Sequence, residues 1–366
     1  MSSKLGYGLI GCGNCGENKH LASYKKFPSE VEPLALYDAN EEKAKAVAEK
    51  HGVKKVCASW QDLLKDPAID IVSIATPNCF HAPIAIAALK AGKHVHLEKP
   101  VSLNSKEAKA ILEARKRSGK LLMVGLNNRF TEAARFAKRY VDEGHLGEIY
   151  HARCGWRRRA GGNMFGTWFA DKEMSGGGPL IDLGVHYFDL TLYLMGFPAP
   201  GAVSASCYDK LANLPKGQEA PGSLMLGRNK AKKGDKYTVE DLAAGFVKLE
   251  GGASVSFEFS WASHSEKETS YAELLGTKGG ISLRDWGSSI KIFTEAAGAI
   301  VDIAPQISDS SAWGENETKY FLDCVKSGTQ PLSSLEDAVK MMQIIEAIYA
   351  SSESGREAVI AKAKGK

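Results

Sequence analysis

Along the first third of the chain, short apolar runs alternate with segments of helical spacing. Leu5 to Ile10 reads as a buried strand, and so do Val31 to Tyr37, Asp70 to Ala75, His94 to Leu97 and Leu121 to Val124. Between them, helices are expected from the glycines after Ile10 to about Lys26, over Glu41 to Lys50, over Phe80 to Ala91 before Gly92, and over Ser105 to Ser118. Repeated strand-then-helix units predict a parallel sheet covered on both faces. Past about Phe130 the pattern changes. One amphipathic helix, Thr131 to Glu143, leads through Gly144 and Gly147 to a strand-like run from Glu148 to Trp156. Further strand-like runs are Ala202 to Tyr208, Leu242 to Leu249, Ala253 to Ser263, Ser270 to Leu275, Gly280 to Leu283 and Ser289 to Phe293. Their hairpin-like spacing predicts an antiparallel or mixed sheet. Leu211 to Gly234 is polar and rich in Lys, Gly and Pro, which predicts a long surface loop with Lys230, Lys232 and Lys233 solvated. Glu317 to Ser327 and Ser334 to Ser352 read as closing helices.

The fold class expected is therefore α/β: a parallel domain over residues 1–126, then an α+β domain over 127–366, with the last helix free to pack back on the first. Length agrees, since 366 residues at about 150 per domain make two domains. Charge excludes some partners. Lysine and arginine total 47 against 43 acids, and +4 spread over this length is no concentrated basic face for nucleic acid or a membrane surface. No apolar run approaches the ~18 residues that span a bilayer. Met1-Ser2-Ser3-Lys4 lacks the apolar core of an export signal. Seven scattered cysteines suit a reduced, cytoplasmic protein.

The first chemical signal follows the first strand. Gly11, Cys12, Gly13, Asn14, Cys15 and Gly16 form G-x-G-x-x-G, and Asp38 ends the next strand 22 residues after Gly16. Gly11 permits the tight turn, Gly13 lets backbone N–H groups approach a pyrophosphate, and Gly16 lets the helix pack closely. The helix N-terminus offers unpaired N–H groups to phosphates. Asp38 can accept hydrogen bonds from both ribose hydroxyls and repels a 2′-phosphate, so NAD is expected, with Lys43 keeping NADP as the alternative. Asp38 is also placed to cap the helix near Glu41. A redox dithiol at Cys12 and Cys15 would leave the three glycines unexplained. No second C-x-x-C or His pair completes a zinc site, so no metal is expected.

In such sheets ligands sit beyond the carboxyl ends of the strands. The segments there are Thr76-Pro77-Asn78, Glu98-Lys99-Pro100 and Gly125 to Phe130. Asn78 and His81 open a helix, either beside a nicotinamide ribose or as cap and first-turn residues. Lys99 stands poised over a crevice for proton exchange, or else is solvated and paired with Glu98. A second cluster runs from Ser175 through Gly176-Gly177-Gly178-Pro179 to Leu190. Asp182 and His186 are four apart and share a helix face, with Asp189 three further on. A carboxylate beside an imidazole is a usable acid–base pair. The glycines before it let a ligand or another backbone come close.

With Gly11-x-Gly13-x-x-Gly16, Glu98-Lys99-Pro100 and Gly178-x-x-x-Asp182-x-x-x-His186 in order, the chain resembles the Gfo/Idh/MocA oxidoreductases, the family of glucose–fructose oxidoreductase and inositol dehydrogenase. The resemblance spans nearly the whole length, including Thr76-Pro77-Asn78-x-x-His81. It implies a Rossmann domain, an open-faced and mostly antiparallel sheet that builds homodimers or homotetramers, NAD or NADP, and a sugar or cyclitol substrate. Lys99 matches the lysine at the reacting hydroxyl and the nicotinamide ribose; Asp182 matches the substrate-binding acid and His186 the general base. Thr76, Pro77, Asn78, His81, Glu98 and Asn127 are expected at the cofactor beside the glycine loop and Asp38. Arg129, Arg157 and Trp168, with Arg158, are expected at the substrate. The expected reaction takes hydride from a carbinol carbon to nicotinamide while His186 takes the hydroxyl proton. The alternatives are a redox-neutral cleavage of a glycosidic bond with the hydride returned, and a non-catalytic NAD-sensing regulator.

Overall fold

A computed structural model describes residues 4–159, 164, 166–211, 236–285, 289–307 and 313–361. Most of the loop expected over Leu211 to Gly234, with its lysine cluster, lies outside the described residues. The chain forms two compact units, residues 1–127 with 312–339, and residues 128–311 with 340–366. The segment 312–339 thus belongs to the first unit, whereas the sequence reading places 127–366 in the second domain and leaves only the last helix free to pack back on the first.

The first unit holds β1 (Leu5–Ile10), β2 (Val31–Tyr37), β3 (Lys55–Val56), β4 (Ile71–Ile74), β5 (His94–Leu97) and β6 (Leu122–Val124). They form one parallel sheet in the order β3-β2-β1-β4-β5-β6, the doubly wound arrangement whose order reverses beside β1. All four residues of β4 are buried, as a strand covered on both faces requires. β3 escapes the sequence pattern because its two residues carry no apolar run; it exists by pairing with Ala35 and Leu36. The helices are capped from the sequence: Asn40, Ser59 and Asn104 each accept a backbone N–H three residues on. Asn40, not Asp38, is therefore the cap of the helix Glu41–His51. After the glycine loop the chain winds as a π-helix over Cys15–Leu21 rather than as a plain α-helix.

The second unit is built on β7 (Ile149–Arg157), β8 (Pro200–Tyr208), β9 (Leu242–Leu249), β10 (Ser254–Ser260), β11 (Thr269–Gly276), β12 (Gly280–Arg284), β13 (Ser289–Ala296), β14 (Ala299–Ile303) and β15 (Ala358–Val359). Their order is β14-β13-β12-β11-β7-β10-β9-β8-β15. Among the described residues of this sheet only β7 and β10 pair in parallel; every other ladder is antiparallel. One face packs on the helix Val185–Leu194, where Phe188 meets Phe257 and Phe259 with ring centroids 4.9 and 5.4 Å apart. The other face is open and polar. His151, Arg153 and Arg157 alternate along it on β7, and Arg153 and Arg284 both pair with Glu273. Among the described residues no helix is long and apolar enough to cross a membrane.

Candidate active site

In the first unit the loops after the strands carry the expected cofactor residues. Gly11 has φ of 97°, and a Cβ there would lie 2.5 Å from the Ala75 carbonyl oxygen. A Cβ on Gly16 would lie 1.9 Å from the Gly11 carbonyl oxygen, so the helix turns directly onto the loop. Gly13, Asn14 and Cys15 face solvent, and only Lys43 Nζ comes within 4 Å of a Cβ built on Gly13. The turn is thus closed behind and open in front, as a phosphate cradle must be. Asp38 holds the loop: its Oδ2 accepts from Cys12 N at 2.7 Å and its Oδ1 from Asn40 N at 2.9 Å. A carboxylate has lone pairs left for two ribose hydroxyls. Cys12 is buried, and burial with the nearby Asp38 charge pushes its thiol up to about 12, which makes it a packing group and not a redox thiol.

NAD fits this arrangement. Thr76 Oγ1 and Asn127 Oδ1, on the loops after β4 and β6, are buried oxygens without a hydrogen-bonding partner. A bound dinucleotide would satisfy groups that otherwise carry a desolvation cost.

Two expected cofactor ligands are placed elsewhere. His81 is fully buried, its Nδ1 2.6 Å from the Pro100 carbonyl oxygen and its Nε2 2.9 Å from that of Thr76. It fastens the two loops to each other and offers no atom to a cofactor. Glu98 is buried too, with Oε1 accepting from Lys19 Nζ at 2.5 Å and lying 2.9 Å from His20 Nε2, and Oε2 accepting from Lys99 N at 3.1 Å. Burial opposes its charge, but Lys19 and His20 outweigh that and hold its carboxyl well below the usual range. The Glu98 carboxylate is therefore spent on Lys19 and His20, while Lys99 itself is half-buried.

Two histidines of the first unit carry a pH signature. Burial, with His96 and Lys19 nearby, lowers His20 to about 4, and burial with Lys120 lowers His94 to about 4. In the unfolded chain both titrate near ~6.5, so between these values unfolding takes up protons and stability falls as pH falls. The melting temperature should drop steadily from about pH 6.5 to about pH 4, and His20→Gln should make that drop shallower. A slope unchanged in His20→Gln would contradict the assignment to His20.

In the second unit the helix bearing the acid and the imidazole starts as a π-turn, Leu180–Gly184, and continues as Val185–Leu194. Between Leu180 and Leu190 only Asp182 and His186 are not buried, so the two share one open stripe. π-turns of this kind are frequent at functional sites. The glycines ahead of it admit protein, not ligand. A Cβ on Gly177 would lie 1.8 Å from the Tyr349 hydroxyl, and one on Gly178 2.1 Å from the Glu240 carbonyl oxygen. Buried Glu240 accepts from Gly178 N at 3.0 Å, Leu180 N at 3.1 Å and the Tyr349 hydroxyl at 3.1 Å. A carboxylate at a helix start suits the local dipole, although burial raises its pKa.

Trp261 is a partner of Asp182 that the sequence pattern hides, because it follows β10 as one more apolar position. Its indole N–H donates to Asp182 Oδ2 at 2.9 Å, and the ring is 1% exposed. Trp261→Phe should keep the fold and lower kcat/KM by about 10- to 100-fold while NADH affinity stays unchanged, since a donor to a charged acceptor is worth about 1.5–3 kcal/mol. Steady-state kinetics with a fluorescence titration of NADH separates the two.

Arg129 and Arg157 are corrected by the structure. Arg129 is 1% exposed and pairs with Asp189, Nε to Oδ2 at 2.7 Å and a second nitrogen to Oδ1 at 2.6 Å. Its guanidinium also stands 4.6 Å from the Tyr193 ring centroid. It anchors the site helix and has no face for a substrate. Arg157 points to the open face of the sheet, 3.3 Å from Glu258, while its neighbour Trp156 turns the other way to meet Tyr187. Strand alternation separates the two. Arg158 shares the side of Trp156, 4.4 Å over its ring and 3.6 Å from Glu268. Trp168 is half-buried and stacks on Phe169 at 3.8 Å.

A parallel sheet with a closed-backed glycine loop and an acid after β2 defines a dinucleotide-binding domain. A family model described as an oxidoreductase family with an NAD-binding Rossmann fold matches residues 5–126, and the GFO/IDH/MocA C-terminal domain matches residues 134–282. The chain belongs to the GFO/IDH/MocA oxidoreductase family. It is 30% identical over 356 residues to D-glucoside 3-dehydrogenase of Escherichia coli, covering 97% of each chain. It is 33% identical over 287 residues to levoglucosan dehydrogenase of Pseudarthrobacter phenanthrenivorans, covering 76% of this chain and 73% of that one. A solved levoglucosan dehydrogenase in complex with NADH superposes with a TM-score of 0.85 at 26% identity, over 99% of this chain and 100% of that one.

Proposed function

We propose that this protein oxidises a secondary hydroxyl of a sugar, glycoside or cyclitol with NAD, Lys99, Asp182 and His186 being the groups that act on the substrate. The observation that carries the reading is the open stripe of Asp182 and His186 on a helix otherwise buried from Leu180 to Leu190, matched in sequence position to the family's acid and base. The names of its relatives support the substrate class: D-glucoside 3-dehydrogenase, levoglucosan dehydrogenase and scyllo-inositol 2-dehydrogenase. When bound, NAD accepts the hydride at its nicotinamide ring. The neutral His186 imidazole takes the hydroxyl proton, which it can do only with one ring nitrogen unprotonated. Asp182, aimed by Trp261, accepts from a neighbouring sugar hydroxyl. The Lys99 ammonium steadies the negative charge that grows on the reacting oxygen. Self-association through the open sheet face belongs to the same reading, supported by the exposed rings of Phe246 and Phe293 beside the Arg153–Glu273–Arg284 pairs. So does a cytoplasmic location, supported by seven free cysteines.

The test is turnover on a panel of glucosides, levoglucosan and inositols with NAD, followed as absorbance of NADH, with gel filtration of the same preparation. NADH appearing with at least one of them establishes the reading. Sugar product without net NADH, together with nucleotide released on denaturation, would replace it with the redox-neutral cleavage.

A further inference from the structure

The Glu98 clamp continues into the C-terminal part of the chain. Helix Trp313–Ser327 belongs to the first unit and brings Glu317 to Lys19. Glu317 is 0% exposed, with Oε2 3.4 Å from Lys19 Nζ and Oε1 3.9 Å from His96 Nε2, and neither oxygen has a hydrogen bond. The same Lys19 ammonium is bonded to Glu98. One partly exposed cation therefore joins two buried carboxylates, and Gly125 makes the space: a Cβ there would lie 3.1 Å from Lys19 Nζ and 3.3 Å from Glu98 Oε1. Burial works against the Lys19 charge, but Glu317 and Glu98 outweigh it and hold its pKa above the ordinary value.

Such a cluster is a poor way to gain stability, because desolvating three charges costs more than packing apolar groups of the same volume. Its location suggests another use. Lys19 sits on the π-helix that leaves the phosphate loop, Glu98 is the residue before Lys99, and Lys99 N donates to the Glu98 carboxylate. Three segments distant in sequence are thus fixed to one ammonium, and Lys99 hangs from the middle one.

We propose that Lys19 and Glu317 are positioning residues for Lys99: the Glu98–Lys19–Glu317 bridge locks the Lys99 loop to the glycine-loop helix and to the helix Trp313–Ser327, and so fixes where the Lys99 ammonium stands. This rests on the reading of Lys99 as a group that acts on the substrate, but the geometric part can be tested without turnover.

The experiment uses the full chain as Lys19→Met, Glu317→Leu and the double variant, with melting temperature, amide hydrogen exchange and kinetics read on each. The double variant removes two charges from the cluster and leaves Glu98 with His20. Positioning predicts that it regains thermal stability relative to Lys19→Met, while exchange over residues 96–102 stays about tenfold or more faster than in the wild type and exchange over 31–37 is unchanged. It also predicts kcat about tenfold lower with KM for the sugar within about threefold. Recovery of loop protection and of kcat in the double variant would make the cluster a matter of charge balance alone and overturn the proposal. So would wild-type loop exchange and kcat in Lys19→Met. If the wild type turns over no sugar, the dehydrogenase reading fails, and the exchange of residues 96–102 alone decides the bridge.

Discussion

Replacing His186 with alanine lowers kcat by about 10²–10⁴-fold, the range for loss of a positioned general base, and leaves NADH affinity near the wild-type value. The imidazole lies on the only open stripe of its helix, and Asn128 and Arg129 hold the backbone and the turn that follows it. Arg129 grips Asp189 one turn on, and Asn128 Nδ2 donates to the His186 carbonyl at 3.4 Å. The substitution therefore removes the proton acceptor without loosening the helix. Lys99→Ala should cost about 10²–10³-fold in kcat, as removal of one donor to a developing oxyanion does elsewhere. Steady-state kinetics on whichever sugar turns over, with NADH titration by fluorescence, reads both. A His186→Ala enzyme with more than a tenth of the wild-type kcat would sink the assignment of His186 as base.

Arg129→Met destabilises the protein by about 3–5 kcal/mol, because it leaves Asp189 charged, buried and without its bidentate partner. Asp189 is 2% exposed, so water cannot take over the two bonds that Arg129 makes. The double variant Arg129→Met with Asp189→Leu recovers most of the loss, since replacing both partners by apolar groups of similar size is often near neutral. Denaturant unfolding of the two single variants and the double variant closes the cycle. Were Arg129→Met alone as stable as the wild type, the pair would not be the anchor described here. A substrate-binding arginine would behave differently, raising KM with little change in stability.

Both predictions depend on how local pattern and tertiary contact divide the work. The β-then-α alternation, the glycine loop and Asp38 were legible because each signal is short-range. A strand buried on both faces needs a continuous apolar run, and a phosphate turn needs glycine at set places. Asp182 and His186 were legible because helical spacing puts residues four apart on one face. The role of Arg129 was not, since nothing near it in sequence announces Asp189, and an arginine beside a crevice loop looks the same whether it meets substrate or a buried acid. Arg157 and Arg158 differ only in which way a strand residue turns at the end of β7, and the ladder to β10 settles that. His81 and Glu98 sit inside true site motifs yet serve the loops themselves.

The sequence alone determined the class of sheet, the cofactor loop and the stripe of acid and imidazole, because these rest on periodicities and turns of a few residues. Only the tertiary structure decided which polar groups face outward. Trp261 reaches Asp182 across 79 positions and Lys19 reaches Glu98 across 79, and such pairings are set by how elements pack. The same holds for the return of the helix Trp313–Ser327 to the first unit, where Glu317 finds Lys19. The physical reason is that a buried charge must find its partner wherever the fold puts one, and that partner leaves no periodic mark in the chain.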